Sequence, residues 1–139
     1  MDPVGAAGAA VSVFAVVELV GRVSALAASF MRGVRDARRD MIQVRKDMSD
    51  LSTVLEMVAE DLEKEGDSAL GGDMSHSQRH IVDIAHGCRA VLLEIEVVIR
   101  KGQSRLRWVL SGKERVNKLR ERLETYKLSL DVALDYRTM

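Results

Sequence analysis

The stretch MIQVRKDMSDLSTVLEMVAEDL, residues 41–62, decides the fold. Its apolar residues recur at alternating steps of three and four, which places them on one face of an α-helix. A stripe with this spacing packs against neighbouring helices at a shallow angle, as in bundles and coiled coils. The stripe consists of Met41, Val44, Met48, Leu51, Leu55, Val58 and Leu62. The stretch therefore predicts a long amphipathic helix within a helical bundle.

Two later stretches carry the same kind of stripe. One consists of Ile81, Ile84, Cys88, Val91, Ile95 and Val98, and the other of Val116, Leu119, Leu123, Tyr126, Leu130 and Ala133. Three glycines and three acidic residues in 65–75 predict a loop before the helix that carries Ile81. Ser75 or Ser77 is expected to be the N-cap of that helix. Gly102 ends that helix, and the basic stretch around Trp108 predicts a brief helical turn across the bundle end.

The N-terminal stretch MDPVGAAGAAVSVFAVVELVG, residues 1–21, predicts a further helix, with Asp2 as N-cap and Pro3 at its first position. Its stripe continues in register into the next helix through Val13, Val16, Val20, Val23, Ala27, Phe30, Val34 and Ala37. One continuous helix would have to oligomerise to bury this stripe. We prefer a break, because Gly33 weakens a helix and Asp36 can cap a new one.

Length and composition fit one folded domain covering residues 1–139. Apolar residues make up 47% of the 139 residues and charged residues 30%, with one proline and few aromatic residues. The predicted fold is all-α, an antiparallel four-helix bundle with a long apolar N-terminal helix. Its helices are expected at about residues 3–32, 36–64, 76–101 and 113–137.

The apolar character of the first helix allows two interpretations. Its small residues fit either the centre of a tight bundle or close packing of helices in lipid. An acid at Asp2 and the missing basic segment before the apolar run argue against a secretory signal. Glu18 and Arg22 interrupt a membrane-spanning length, so we expect no constitutive transmembrane helix, whereas conditional insertion stays open. The two can pair on the helix surface, or Glu18 can face a lumen in an inserted assembly.

Charge is balanced overall but divided into blocks. Twenty-one basic residues match twenty-one acidic ones, so nothing predicts a nucleic-acid partner. Residues 22–46 hold seven basic and two acidic residues, and residues 47–65 hold seven acidic residues and one lysine. Such blocks are either solvated faces that pair across the bundle or, for the basic block, a surface for anionic lipid.

Catalytic chemistry has little support in the sequence. His76 and His80 share a helix face but have no evident third ligand for a metal. Cys88 lies on an apolar stripe and is interpreted as a core residue. Ser111–Glu114 resembles the end of a phosphate-binding loop, but Arg107 stands where the upstream glycine is required. We expect no enzyme, no catalytic residue, no metal site and no cofactor.

Residues 1–23, 35–62 and 108–134 together carry a family resemblance. They resemble the N-terminal HeLo-like domains of fungal NOD-like (STAND) receptors, which typically begin Met-Asp-Pro and continue through an apolar helix. In the last helix, the residues at the family's positions are Arg122, Leu123, Glu124, Lys127, Leu130, Ala133 and Leu134. The family is similar in type to the four-helix domains of mixed-lineage kinase domain-like and plant powdery-mildew resistance proteins.

The resemblance implies a cell-death effector of fungal innate immunity and heterokaryon incompatibility. Such a domain is cytoplasmic, moves to the plasma membrane on activation, forms homo-oligomers and permeabilises the membrane through its N-terminal helix. A NOD-like receptor or an amyloid signalling partner would activate it, and the other partners would be anionic membrane lipids. The trigger, the oligomeric number and the lipid specificity stay open.

Two sets of residues are predicted to act in this function. The membrane-inserting set is Val4, Val11, Phe14, Val17, Glu18 and Leu19. The set predicted to contact lipid head groups is Arg32, Arg35, Arg38 and Arg39, hereafter the arginine cluster. The alternative function is a helical-bundle signalling adaptor or oligomerisation module without membrane activity.

Overall fold

The structure is a computed structural model that describes residues 6–68, 74–102 and 104–138. The described residues form four long helices, which confirms the predicted all-α four-helix bundle. The helices are α1 (Ala6–Gly33), α2 (Arg38–Ser68), α3 (His76–Lys101) and α4 (Lys113–Thr138). The predicted cap at Asp2 and Pro3, and the predicted inserting residue Val4, lie outside the described residues.

The chain breaks between α1 and α2, as predicted. Val34 adopts an extended backbone conformation, with φ −122° and ψ 98°, and a 3₁₀ turn at Arg35–Ala37 follows it. The expectation that Asp36 caps α2 is wrong, because Asp36 lies inside this turn and α2 begins at Arg38. Val34 and the 3₁₀ turn together reverse the chain, so α2 begins two residues after Asp36.

The end of α2 lies four residues beyond the predicted end, at Ser68. The last turns are held by Glu65, which forms an ion pair with Arg137 of α4 and accepts a 2.7 Å hydrogen bond from Gln78 Nε2 of α3. Gln78 also completes a capping box with Ser75, whose Oγ accepts from Gln78 N at 3.2 Å. Ser75 is therefore the N-cap of α3, one of the two residues predicted.

The four helices occupy the corners of the bundle in the order α1, α2, α4, α3. Both α1 and α4 pack against α2 and α3, so α1 lies diagonally opposite α4, and α2 lies diagonally opposite α3. Asp47–Arg120 and Asp61–Arg137 ion pairs join α2 to α4, which run in the same direction. Arg137 also bonds to Ser77 at the start of α3, so α3 and α4 are antiparallel. The connection from α2 to α3 therefore crosses the bundle diagonally.

The apolar stripes read from the sequence meet in one core. Every member of the α1, α2 and α3 stripes is buried, and the α4 stripe is buried except at Tyr126 and Ala133, which are half-buried. Cys88 lies in this core, and its burial raises the pKa of the thiol to about 12. The thiol therefore stays protonated at neutral pH, and the interpretation of Cys88 as a core residue is confirmed.

The predicted helical turn closes one end of the bundle. A short helix at Arg105–Arg107 continues into a π-helical turn at Trp108–Gly112 and then into α4. The Trp108 side chain is fully buried and packs on Phe30 of α1, with ring centroids 5.2 Å apart. Gly112 is required beneath this ring, because a Cβ added there would lie 2.8 Å from the indole.

Gly87 allows α3 and α4 to approach closely, and this gives a first prediction. A Cβ at Gly87 would lie 2.5 Å from the Tyr126 ring, whereas a Cβ at Gly21 would meet nothing within 4 Å. We expect Gly87→Ala to lower the free energy of unfolding by about 1–3 kcal/mol through overpacking. Gly21→Ala should raise it by about 0.5–1 kcal/mol through helix propensity. Urea unfolding of both variants tests this, and equal stabilities would contradict it.

Candidate membrane-active surfaces

One side of α1 is exposed and mostly apolar or small, and we call it the outer face of α1. It includes two large apolar side chains, Val11 and Phe14, whose exposed fractions are 62% and 36%. Its members are Val11, Phe14, Ala15, Glu18, Gly21, Arg22, Ala25, Ser29 and Arg32. Over the first five turns the only charges on this face belong to Glu18 and Arg22.

Among the described residues, one helical segment, Gly8–Gly33, is long and apolar enough to cross a membrane. Its 26 residues extend about 39 Å, compared with about 30 Å for the hydrocarbon core of a bilayer. A central helix of a bundle passes the same test but is mostly buried, whereas 39% of the apolar window of this helix is buried. Helix α1 therefore has one side in the core and one side exposed.

The residues predicted to insert divide between the two sides of α1. Val11, Phe14 and Glu18 lie on the outer face, and Val17 is half-buried at its edge. Leu19 points into the core and is 6% exposed. A surface formed without unfolding the bundle therefore includes the first three residues, and Leu19 joins it only after α1 separates from its neighbours.

The suggested pair between Glu18 and Arg22 is replaced by a contact between helices. The Arg22 guanidinium donates to both carboxylate oxygens of Glu96 in α3, at 2.7 and 3.1 Å. The Arg22–Glu96 contact was not predicted, because spacing along one helix identifies only neighbours on that helix, whereas α1 and α3 lie side by side. Glu18 is left on the exposed outer face.

The arginine cluster lies around the turn between α1 and α2. All four side chains are exposed, and none of them forms an ion pair with another described residue. The acidic block behaves differently, because Asp47, Asp61 and Glu65 pair with arginines of α4. Pairing across the bundle thus accounts for part of the acidic block, while the guanidinium groups of the arginine cluster face solvent.

A second exposed feature lies at the same end of the bundle. Leu106, Val109 and Leu110, hereafter the apolar turn, are 68%, 57% and 71% exposed. The short helix Arg105–Arg107 contacts the 3₁₀ turn that carries part of the arginine cluster. Residues 32–40 and 100–115 together contain ten basic and three acidic residues, in a chain with no net charge. This end is therefore strongly basic and carries exposed apolar side chains.

Val11 and Phe14 lie toward the N-terminal end of α1, whereas the arginine cluster lies around its C-terminal end, and the other described residues predicted to insert lie near the middle of the helix. Val11 is near its N-terminal end, and Arg35 follows its C-terminal end. At 1.5 Å per residue, about 35 Å of helix separates them. A flat membrane that touches one end of the upright bundle therefore does not touch the other.

The histidines considered as metal ligands are both exposed. His76 and His80 lie beside a shallow groove against α4, which also includes Leu128, Val132 and Tyr136. Within residues 6–68, 74–102 and 104–138, no three histidine, cysteine or acidic side chains are grouped so that they could hold a metal ion. The groove is a mainly apolar surface that also includes Ser77, Thr125 and Ser129.

Two carboxylates have lowered pKa values, which gives a prediction about acid stability. Hydrogen bonds from Arg137 lower the pKa of Glu65, and hydrogen bonds from Arg22 lower that of Glu96, each from an ordinary value of 4.5. A carboxylate with a lower pKa in the folded state stabilises the fold above its unfolded pKa, and this stabilisation is lost as pH falls through the folded value. We expect the melting temperature to fall as pH drops below about 4.5.

Removing these two carboxylates should make that fall shallower. In the double variant Glu65→Gln and Glu96→Gln, thermal unfolding followed by circular dichroism across the acid range should depend less on pH than in the wild type. Glu121→Gln, at an exposed residue of α4, is the matched control and should follow the wild-type curve. A double variant with the full wild-type pH dependence would contradict the assignment.

Sequence reasoning missed two features of these surfaces. The first is Arg137, which is 7% exposed and binds Asp61, Glu65 and Ser77 from two other helices. No local pattern distinguishes it from a solvated arginine near a helix end. The second is the apolar turn, whose members are spaced i, i+3 and i+4 among basic residues, a pattern that could have indicated an exposed amphipathic segment.

The helices and surfaces define the class of the protein as an all-α four-helix bundle with one apolar N-terminal helix of membrane-spanning length. Searches with models of protein families, among curated proteins and among solved structures each returned no match for this chain.

Proposed function

We propose that this domain is a membrane-targeting effector of the HeLo-like type, which oligomerises and permeabilises membranes through α1 in fungal programmed cell death. The observation that carries the proposal is the outer face of α1. A helix long enough to span a bilayer exposes Val11 and Phe14 to solvent while its other face completes the core. This combination of length and exposed apolar side chains supports an interaction surface on α1, because large exposed apolar patches on soluble domains mark interaction sites.

Insertion of α1 is a balance of opposing free energies. A bilayer would remove both faces of α1 from water, at about 25 cal/mol for each Å² of apolar surface, whereas the bundle covers one face. Against this stand the lost contacts with α2 and α3, and a cost of about 2.5–3.5 kcal/mol for each charge near the bilayer centre. Glu18 and Arg22 are such charges. Release of α1 is therefore promoted by an activating NOD-like receptor or amyloid partner, or by oligomerisation of concentrated protein on an anionic membrane.

Oligomerisation lowers this cost. In a ring of inserted helices, Glu18 can face a water-filled lumen, where its charge stays hydrated. Gly21, Ala25 and Ser29 are small enough to let neighbouring helices approach closely. We therefore propose that the active form is a homo-oligomer at the plasma membrane, whose cytoplasmic leaflet is anionic.

A crosslink between α1 and α3 tests the proposal. Arg22→Cys and Glu96→Cys replace two residues in direct contact, and a short bismaleimide would join them. Native Cys88 is buried with its pKa raised to about 12, so labelling is selective. We expect the wild type to release dye from anionic liposomes and the crosslinked protein to release none.

The controls are Arg22→Cys alone and Glu96→Cys alone, treated with the same reagent, and both should leak like the wild type. Leakage by a crosslinked protein would show that α1 does not need to leave the bundle. A folded, concentrated wild-type protein that releases no dye would contradict the proposed function.

The groove between α3 and α4 favours a second candidate, a signalling adaptor that docks a helix of another protein. Leu128, Val132 and Tyr136 are 53%, 68% and 75% exposed along one face of α4. An amphipathic helix could cover such a face through residues spaced three and four apart. The adaptor predicts that activity is lost on polar substitution in this groove and survives polar substitution on the outer face of α1.

A further inference from the structure

We infer that the resting bundle docks end-on to anionic membranes through the apolar turn and the basic residues around it. The docking end consists of the apolar turn, the arginine cluster, Lys101, Arg107 and Lys113. The inference rests on the proposed membrane function and adds the surface that meets the bilayer first. It differs from insertion of α1, because it needs no change in the fold.

The first step of the argument is that the apolar turn is held outward by a rigid support. Trp108 lies between its members in sequence and is fully buried against Phe30. Arg107 N donates to Ser104 Oγ at 3.2 Å, and Arg107 Nη1 donates to Lys101 O at 3.3 Å, so the turn is tied to the end of α3. Leu106 lies on the short helix and Val109 and Leu110 on the π-helical turn, and all three side chains are exposed. Their exposure is therefore a stable property of this end.

The second step is charge. The docking end holds most of the ten basic residues in 32–40 and 100–115, and the remainder of the chain has eleven basic and eighteen acidic residues. Three acidic residues, Asp36, Asp40 and Glu114, also belong to this end. Each lysine or arginine near an anionic leaflet contributes about 1 kcal/mol. The excess of positive charge is complementary to phospholipid head groups, which selects a membrane as the occupant of this surface.

The third step is that the apolar turn and the basic residues around it suit different depths of the membrane surface. A membrane-surface segment places apolar side chains about 5–10 Å into the head-group region while cationic side chains remain at the phosphates. Leu106, Val109 and Leu110 share one helical face, and exposed Arg107 and Lys113 flank it. Neither charge alone nor three apolar side chains alone gives stable binding, but the two signals together do.

End-on docking also accounts for the distance between Val11 and the arginine cluster. It brings Gly33 and Val34, the junction between α1 and α2, to the membrane surface and leaves Val11 on the far side of the bundle. Rotation about this junction would let α1 leave the core and enter the bilayer with its C-terminal end at the head groups. The docking end would thus bind first, and the outer face of α1 would act second.

Vesicle cosedimentation tests the inference separately from leakage. The variant carries Leu106→Ser, Val109→Ser and Leu110→Ser, and the matched control carries Leu128→Ser and Val132→Ser on the exposed face of α4. With vesicles containing phosphatidylserine, we expect the first variant to bind about tenfold or more weakly than the wild type, and the control to bind like the wild type. Circular dichroism checks that both are folded.

A second set of binding measurements tests the contribution of the basic residues. Replacing the arginine cluster with glutamates should reduce binding by on the order of a hundredfold or more. Wild-type binding should weaken as salt rises and should be at least tenfold weaker on vesicles of phosphatidylcholine alone, by an order-of-magnitude estimate.

Several outcomes would overturn end-on docking. One is wild-type binding by the apolar-turn variant, and another is an equal loss in the α4 control, which would indicate general apolar adhesion. If the apolar-turn variant binds normally while crosslinking α1 abolishes leakage, the docking surface is wrong and the proposed function stands. A wild type that binds no anionic vesicles would overturn both.

Discussion

Replacing Trp108 with alanine is expected to lower the free energy of unfolding by about 3–5 kcal/mol, the usual range for a buried aromatic side chain. Trp108 is the only tryptophan and is fully buried, where it packs on Phe30 of α1 and above Gly112. Its removal leaves a cavity at the junction of α1, α3 and the turn before α4. Because small domains have a total stability of about 5–15 kcal/mol, this loss is a large fraction of it.

Urea unfolding followed by far-ultraviolet circular dichroism measures this effect. Tyr136→Ala is the matched control, because Tyr136 is 75% exposed and its removal should change stability by less than about 0.5 kcal/mol. Among the described residues, none accepts a hydrogen bond from Trp108 Nε1. Trp108→Phe should therefore cost less than Trp108→Ala. A Trp108→Ala protein as stable as the wild type would show that the turn has another anchor.

The double variant Val11→Asp and Phe14→Asp is expected to slow dye release from anionic liposomes by about a hundredfold or more. An aspartate costs about 2.5–3.5 kcal/mol at the centre of an inserted helix and less toward its ends. Two aspartates at residues 11 and 14 therefore oppose insertion, and they also remove the apolar gain from Val11 and Phe14. Both side chains lie on the outer face of α1, so the resting fold should tolerate the change. The variant therefore separates insertion from folding.

Leu128→Asp with Val132→Asp is the control for this experiment, because it adds the same charge to an exposed face of α4. The control should leak like the wild type, and both variants should melt within a few degrees of it. Unchanged leakage by the α1 variant would contradict insertion through the outer face of α1, and loss in the control alone would assign the membrane activity to α4 instead. This design is cleaner than shortening the chain, because Ala9 and Ala10 at the start of α1 belong to the core.

Helical periodicity predicted the elements and the core but not their arrangement. The stripes at steps of three and four identified the buried side of each helix, because burial of one face is a property of the helix itself. The order of helices around the bundle depends on which stripes pack together, and several stripes here are similar. The Arg22–Glu96 pair depends on that order, so no pattern within α1 could have predicted it.

The surface features show a similar division. The four arginines could be placed next to the junction between α1 and α2 from the sequence, because the junction itself was predicted. The proximity of these arginines to the apolar turn could not be predicted. It follows from a tertiary contact between the 3₁₀ turn at Arg35–Ala37 and the short helix at Arg105–Arg107. The exposure of Leu106 could not be predicted either, because it depends on burial of Trp108, which leaves Leu106 on the solvent side of the short helix.

The diagonal connection between α2 and α3 has a consequence for folding. Helices α1 and α2 form one antiparallel hairpin from local contacts, and α3 and α4 form another, whereas α1–α3 and α2–α4 contacts join residues more than seventy positions apart. Local contacts form early, and distant ones wait for loop closure. During synthesis the first hairpin emerges before the second, so the apolar stripes of α1 and α2 are only half covered until the second hairpin docks. The nascent chain thus passes through a stage in which a membrane or a chaperone can compete for α1.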